Sequence, residues 1–126
     1  EMKKYILFLG LILLIITSCS SQSTEIKNIS VEDLQVVLKD NKNTQLVDVR
    51  TPAECAKGII ENAIKIDITD DDFEKIALDK LDKTKPVYLY CRSGGRSKKA
   101  SKLLLKKGFQ TYNVLGGYIA WKQKNK

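Results

Sequence analysis

One cysteine in this sequence is surrounded by positive charge and by residues with little side chain. Cys91 ends an apolar stretch and opens the run Cys91-Arg92-Ser93-Gly94-Gly95-Arg96-Ser97. Arginine side chains, exposed backbone amides and the start of a helix all favour a thiolate over a thiol, and the thiolate is the nucleophile. The same converging donors suit a bound anion. The run therefore predicts a nucleophilic Cys91 inside a substrate-binding cradle formed by Arg92, Ser93, Gly94, Gly95, Arg96 and Ser97.

The alternative is an inert cysteine at a strand end beside a solvated basic turn. The two neighbouring arginines argue against this interpretation, because structural cysteines normally lie in apolar surroundings. Ligands of open α/β sheets bind beyond the carboxyl ends of the strands, which is where Cys91 is expected.

Two elements must position this run. The apolar stretch Val87–Tyr90 predicts a buried strand that ends at the cysteine. Residues 97–107 predict a helix, with Ala100, Leu103 and Leu104 on its buried side and lysines on the other side. Gly108 is a typical helix stop. The cysteine loop is thus expected between the end of a strand and the start of a helix.

The rest of the chain repeats this alternation. Strands are predicted over residues 25–29, 45–49, 63–66 and 111–115. Helices are predicted to begin at Ser30, with Asp33 in a weak capping box, and at Thr51-Pro52-Ala53-Glu54. Further helices are predicted over residues 71–81, with an acidic cap, and after Gly116-Gly117 around Trp121. Strands that alternate with helices favour an α/β fold around a mostly parallel sheet.

Composition restricts the class of protein further. The 126 residues are 43% hydrophobic, which is enough for one packed domain, and the net charge of +7 favours anionic partners. The sequence contains no histidine, and its three cysteines form no CxxC pair. We therefore expect neither a metal site nor a disulfide framework.

The first residues have the pattern of an export signal. We take Met2 as the start; two lysines follow it, and residues 5–16 are nearly all apolar. Ile16-Thr17-Ser18-Cys19 resembles the bacterial lipobox, in which the cysteine is lipidated. We expect a signal peptide over residues 1–18, a tether over 19–24 and one domain over 25–126. The alternative is a plain signal peptide. The prediction is a lipid-anchored protein on the periplasmic or extracytoplasmic face of the bacterial cell envelope.

The run from Cys91 to Ser97 resembles the active-site loop of rhodanese-like sulfurtransferases. The similarity extends through Gly108-Phe109 and Val114-Leu115-Gly116-Gly117 to Trp121, and upstream through Leu46-Val47-Asp48-Val49-Arg50-Thr51-Pro52-Ala53-Glu54. This resemblance implies a three-layer α/β sandwich. It also implies that Cys91 takes sulfur from an anionic donor such as thiosulfate, becomes a persulfide, and passes the sulfur to cyanide or a thiol. Loop amides would hold the persulfide charge, and Arg92 and Arg96 would orient the donor. No metal, organic cofactor or nucleic acid is implied.

The sequence departs from the family pattern in two places. Cys55 stands where many members have an aromatic residue, and residues 58–63 replace a Gly-His-Ile-Pro-Gly-Ala segment. Cys55 is expected either to fill an apolar position or, if it lies near Cys91, to form a regulatory disulfide with it. Asp48 and Arg50 are expected to brace the fold as an ion pair rather than to touch substrate.

Two other functions stay open. Phosphatases and arsenate reductases also use cysteine loops, but by family comparison their loop has seven residues, whereas Cys91 through Arg96 is six. A persulfide carrier or sensor that docks a partner protein needs the same loop as a sulfurtransferase.

Overall fold

The alternation of strands and helices expected from the sequence is present in the computed structural model, which describes residues 25–126. The strands are β1 (Lys27–Ile29), β2 (Gln45–Asp48), β3 (Ile64–Lys65), β4 (Val87–Tyr90) and β5 (Thr111–Val114). The helices are α1 (Val31–Asp40), α2 (Pro52–Ala56), α3 (Phe73–Lys80), α4 (Gly95–Lys106) and α5 (Gly117–Lys124). The predicted signal peptide, the tether and Cys19 lie outside the described residues.

The five strands form one sheet in the order β1-β5-β4-β2-β3, and every pairing is parallel. In the register, Asp48 lies beside Tyr90 and Leu89 lies beside Asn113. Parallel pairing puts the carboxyl ends of all the strands at one edge of the sheet. The loops after β2, β4 and β5 therefore meet there, and Cys91 is the first residue beyond the central strand β4.

Helices cover both faces of the sheet, as predicted. On one face α3 and α4 pack against the strands through the buried residues Phe73, Ala77, Ala100, Leu104, Val47 and Leu89. On the other face α1 and α5 pack through Leu34, Leu38, Tyr118, Trp121, Tyr90 and Val114. Parallel sheets need this double cover, because both faces of their strands are apolar. The result is a three-layer α/β sandwich.

The helix starts follow the sequence signals unevenly. The Ser30 hydroxyl accepts the N–H of Asp33 at 3.1 Å, and Thr51 forms a full capping box with Glu54, so both predicted caps are confirmed. The acidic side-chain cap predicted for the 71–81 helix is wrong. That helix begins at Phe73, and its N-cap residue Asp72 makes no side-chain capping bond. The carboxylate of Asp70 instead accepts the N–H of Asp72 at 2.9 Å, which forms a turn before the helix.

Within residues 25–126, no helix has the length and apolarity that a membrane crossing requires.

Candidate active site

The structure places the Cys91 sulfur beneath the loop that follows β4. The residue is 2% exposed, and its sulfur accepts the backbone N–H of Gly94 at 3.1 Å. The hydroxyl of Ser97 lies 3.5 Å from the same sulfur. Donors from the loop and from the first turn of α4 thus converge on one atom, as an anionic sulfur requires.

The loop is shorter than the sequence predicted, because α4 begins at Gly95 rather than at Ser97. Gly94 has a φ of +119°, a conformation that L residues rarely adopt, whereas Gly95 is helical and has open space where a Cβ would lie. Of the two loop glycines, only Gly94 therefore supplies a backbone conformation that favours glycine. Because α4 starts two residues earlier in the chain, the unpaired N–H groups of its first turn begin nearer to Cys91 in the sequence.

These contacts set the protonation of the thiol. Burial alone would raise the pKa of Cys91, but hydrogen bonds from the Ser97 hydroxyl and from the backbone of Ser97, Gly94 and Ser93 outweigh it and lower that pKa. Backbone amides, the helix start and the two arginines were together expected to favour the thiolate. In the structure, the principal donors that stabilise the thiolate are amides and a hydroxyl.

Asn113 is a buried residue that the sequence analysis missed. It lies on β5, is 3% exposed, and its side-chain oxygen is 2.6 Å from the hydroxyl of Ser97. Ser97 is itself fully buried, so its position is fixed by this bond and by the surrounding helix. A polar residue inside an otherwise buried strand was the available signal, since such residues need a partner.

Glu54 is a second missed residue. It was identified only as a helix-capping residue, yet its carboxylate accepts two hydrogen bonds from Arg96, at 2.7 and 2.9 Å. The hydrogen bonds from Arg96 lower the pKa of Glu54 to about 2. Arg92 is exposed, and its side chain has no hydrogen-bond or ion-pair partner in residues 25–126. The two loop arginines are therefore in different states: one is paired with a carboxylate, the other faces solvent.

The predicted ion pair between Asp48 and Arg50 is present and buried. The nearest nitrogen–oxygen distance is 2.7 Å, and the side chains are 0% and 5% exposed. The guanidinium of Arg50 also donates to the carbonyl of Gly58 at 2.7 Å and lies 4.2 Å from the centre of the Tyr118 ring. These contacts join β2, the segment at Gly58 and α5, so Arg50 braces the segments around the site.

The start of α5 holds the cysteine loop from the other side. The N–H of Tyr118 donates to the carbonyl of Cys91 at 2.8 Å, and that of Ile119 donates to the carbonyl of Arg92 at 3.1 Å. Gly117 has a φ of +56°, and a Cβ at this position would lie only 2.5 Å from the Cys91 carbonyl oxygen. The absence of a side chain at Gly117 therefore permits close contact between the start of α5 and the cysteine loop.

Cys55 lies on α2 and is buried. Its thiol is 4.0 Å from the carbonyl oxygen of Arg50, and burial, followed by the nearby carboxylate of Asp48, raises its pKa. Both Cys55 and Cys91 are free thiols. Cys91, but not Cys55, thus has the electronic environment of a nucleophile.

Comparison with known proteins agrees with this site. The sequence matches the rhodanese-like domain family over residues 30–124. It is 37% identical to a sulfurtransferase of Allochromatium vinosum, across 76% of this chain and 88% of that protein. It is 40% identical to a putative sulfurtransferase of Bacillus subtilis, YtwF, across 81% and 96%. Other relatives are tRNA uridine(34) hydroxylases, longer proteins such as that of Pelagibacter ubique, of which this chain spans 38%.

Solved structures give the same result. The fold is similar to the crystal structure of a rhodanese-like domain protein from Staphylococcus aureus, with a TM-score of 0.69, 36% sequence identity, and coverage of 76% of this chain and 91% of that one. The family match spans most of the domain, and it includes both the strand that ends at Cys91 and the helix that caps its loop. This chain belongs to the rhodanese-like domain family.

Proposed function

We propose that the protein moves sulfane sulfur from a donor such as thiosulfate to a thiophilic acceptor through a persulfide on Cys91. The observation that carries this proposal is the buried Cys91 sulfur, which accepts hydrogen bonds from the loop and from α4 and has a lowered pKa. These hydrogen bonds favour the thiolate, whose attack needs no separate base, and this suits a sequence without histidine.

In the first step the Cys91 thiolate attacks the outer sulfur of thiosulfate. A new sulfur–sulfur bond forms, the old one breaks, and sulfite leaves with the electron pair. The product, Cys91-S-S⁻, carries its charge on the outer sulfur, within reach of the donors that previously surrounded the thiolate. Donors fixed before the reaction stabilise that charge without rearranging.

In the second step an acceptor attacks the outer sulfur. Cyanide would leave as thiocyanate, and a thiolate would become a persulfide; in both cases Cys91 regains its electron pair as a thiolate. Arg92, which is exposed and without a side-chain partner in the described residues, is suited to guide anions to the loop. The charge balances in each step, so no cofactor is required.

Intact mass spectrometry tests this proposal. Thiosulfate should add about 32 Da, one sulfur atom, and cyanide should remove it. The C91A variant should gain no mass, while C55A, which removes the other thiol of the described domain, should load normally. Loading of C91A at the wild-type rate would contradict the proposal. Loading followed by slow turnover with every small acceptor would indicate a carrier for a partner protein instead.

We also propose that the protein is anchored to a bacterial membrane by a lipid on Cys19, at the periplasmic or extracytoplasmic face. The support is the sequence before that cysteine, which resembles a lipobox. C19S should abolish lipidation and leave the precursor uncleaved or the domain released. Normal membrane recovery of C19S after an alkaline wash would contradict the anchor.

A further inference from the structure

A carboxylate from α2 is already bound to one of the two arginines of the active-site loop. Glu54 binds Arg96 through both of its oxygens, and the two side chains are 29% and 34% exposed. The pair is therefore open to solvent and to an approaching substrate. A bidentate carboxylate occupies the donors that a planar or tetrahedral anion would otherwise use.

Glu54 is held in this place by its own helix. Its Oε1 atom also accepts the N–H of Thr51 at 3.3 Å and the Thr51 hydroxyl at 3.1 Å, which completes the capping box of α2. The hydrogen bonds from Thr51 therefore hold the carboxylate in position independently of its pairing with Arg96. The low pKa of Glu54 keeps it ionised at every pH at which the enzyme would work.

We propose that Glu54 is a specificity-determining residue, whose carboxylate occupies Arg96 and thereby disfavours doubly charged donors in favour of organic hydropersulfides, R-S-S-H. This inference rests on the proposed function. A dianion such as thiosulfate has to approach a loop in which the fixed carboxylate of Glu54 already neutralises the charge of one of the two arginines. Arg92 is the one loop arginine left to attract it.

A hydropersulfide avoids this cost. The Cys91 thiolate attacks the outer sulfur of R-S-S-H, the sulfur–sulfur bond of the donor breaks, and R-S⁻ leaves and takes up the released proton as R-S-H. The enzyme is left as Cys91-S-S⁻, with the same total charge as before. The organic leaving group needs no arginine to bind it, because it ends as a neutral thiol, whereas thiosulfate releases the dianion sulfite.

The E54Q variant separates the charge of Glu54 from its structural role. Glutamine at this position of a capping box still reaches back to the N-cap amide, so α2 should keep its start. E74Q is the matched control. Glu74 pairs with Lys107 at 3.5 Å, which is about 16 Å along the axis of α4 from Arg96. Both variants remove one carboxylate charge and one ion pair.

The first measurement needs no sulfur transfer. Cys91 in the full chain is alkylated with anionic iodoacetate and with neutral iodoacetamide, and its modification is read by peptide mapping. E54Q should raise the ratio of the two rates about fivefold at low salt and less at high salt, whereas E74Q should leave it unchanged. An unchanged ratio in E54Q overturns the proposal.

The second measurement compares donors at steady state. For thiosulfate, E54Q should lower KM about fivefold with little change in kcat; for the hydropersulfide of 2-mercaptoethanol, KM should stay the same. In an R96Q background, the further change E54Q should no longer affect the KM for thiosulfate, since the arginine it would release is absent. A higher thiosulfate KM in E54Q would show that Glu54 orients Arg96 for the donor, and would overturn the proposal.

These outcomes are distinct from failure of the proposed function. If wild-type protein accepts sulfur from neither donor, the sulfurtransferase proposal fails, while the alkylation ratio still reports whether Glu54 repels anions from Cys91.

Discussion

The hydroxyl of Ser97 donates to the side-chain oxygen of Asn113 at 2.6 Å. The same hydroxyl lies 3.5 Å from the Cys91 sulfur, and it has a single proton to give. The sulfur, the asparagine and the carbonyl of Gly94, which is 3.2 Å from the same hydroxyl, therefore compete for that proton. An anionic sulfur is a stronger acceptor than a neutral one. When the sulfur ionises, the hydroxyl proton can therefore rotate towards it while the hydroxyl oxygen stays in place.

We expect S97A to raise the pKa of Cys91, because a hydrogen bond to the charged form is lost. N113L should shift the pKa downward, because the proton then has one acceptor fewer. The pH dependence of Cys91 alkylation by iodoacetamide measures both. S101A, which removes another buried hydroxyl of α4, is the control and should leave the pKa unchanged. A wild-type pKa in S97A would contradict this assignment.

Sulfur loading should follow the ionisation of Cys91. The thiolate reacts and the thiol does not, so the loading rate should rise with pH and level off above the pKa of Cys91. That pKa is lower than the ordinary value of 9.0. Thiosulfate keeps its charge over this range, so the profile reports the enzyme. In S97A the rise should move to higher pH. A profile that still climbs in proportion to hydroxide above pH 9.0 would mean that the thiol pKa is not lowered.

The two loop glycines should respond oppositely to alanine. G94A forces a side chain into a φ of +119°, at a cost of about 1–3 kcal/mol, and should slow sulfur loading as the amide of Gly94 leaves the sulfur. G95A places a methyl group in open space on a helix and should be tolerated. Thermal unfolding and the loading rate measure both effects. Equal loss in the two variants would contradict the helix start at Gly95.

The buried ion pair should matter for stability. D48N leaves the Arg50 charge buried without its partner and should lower the free energy of unfolding by about 3–5 kcal/mol in urea titrations. The double variant D48L/R50M, which removes both charges, should recover much of this loss. If D48N unfolds like wild type, the pair does not brace the fold.

Cys55 should be dispensable for chemistry. Its thiol is buried against the Arg50 carbonyl, and its pKa is raised by burial. We expect C55A to load sulfur on Cys91 at the wild-type rate. The redox alternative is tested in the wild-type protein: after mild oxidation, peptide mapping without reductant should find both thiols free. A peptide linked through Cys55 and Cys91 would establish the regulatory disulfide instead.

Local signals predicted the scaffold well. The apolar run before Cys91, the N-cap at Ser30 and the capping box at Thr51 act over a few residues. Strand β4 and helices α1 and α2 could therefore be identified from the sequence alone. The start of α4 could not, because Gly95 and Arg96 carry no helix signal. Contact of the loop with α5 and the hydrogen bonds to the sulfur favour the early start.

The partners inside the site were harder to predict, because they come from distant parts of the chain. Glu54 reaches Arg96 across 42 positions, and Asn113 reaches Ser97 across 16. Each looked locally explained, one as a helix cap and the other as a strand residue. The parallel register that brings β2, β4 and β5 to one edge is what puts them together.

The hydrogen bonds from Tyr118 and Ile119 to the cysteine loop determine when the active site can be completed. A ribosome makes the chain from its amino end, so Cys91 leaves the ribosome before the residues that hold its loop in place. Until α5 has been made and has docked, the carbonyls of Cys91 and Arg92 lack these partners, and the sulfur lacks a fixed cradle. We therefore expect the activated thiol to be one of the last features of the domain to be completed as the chain folds.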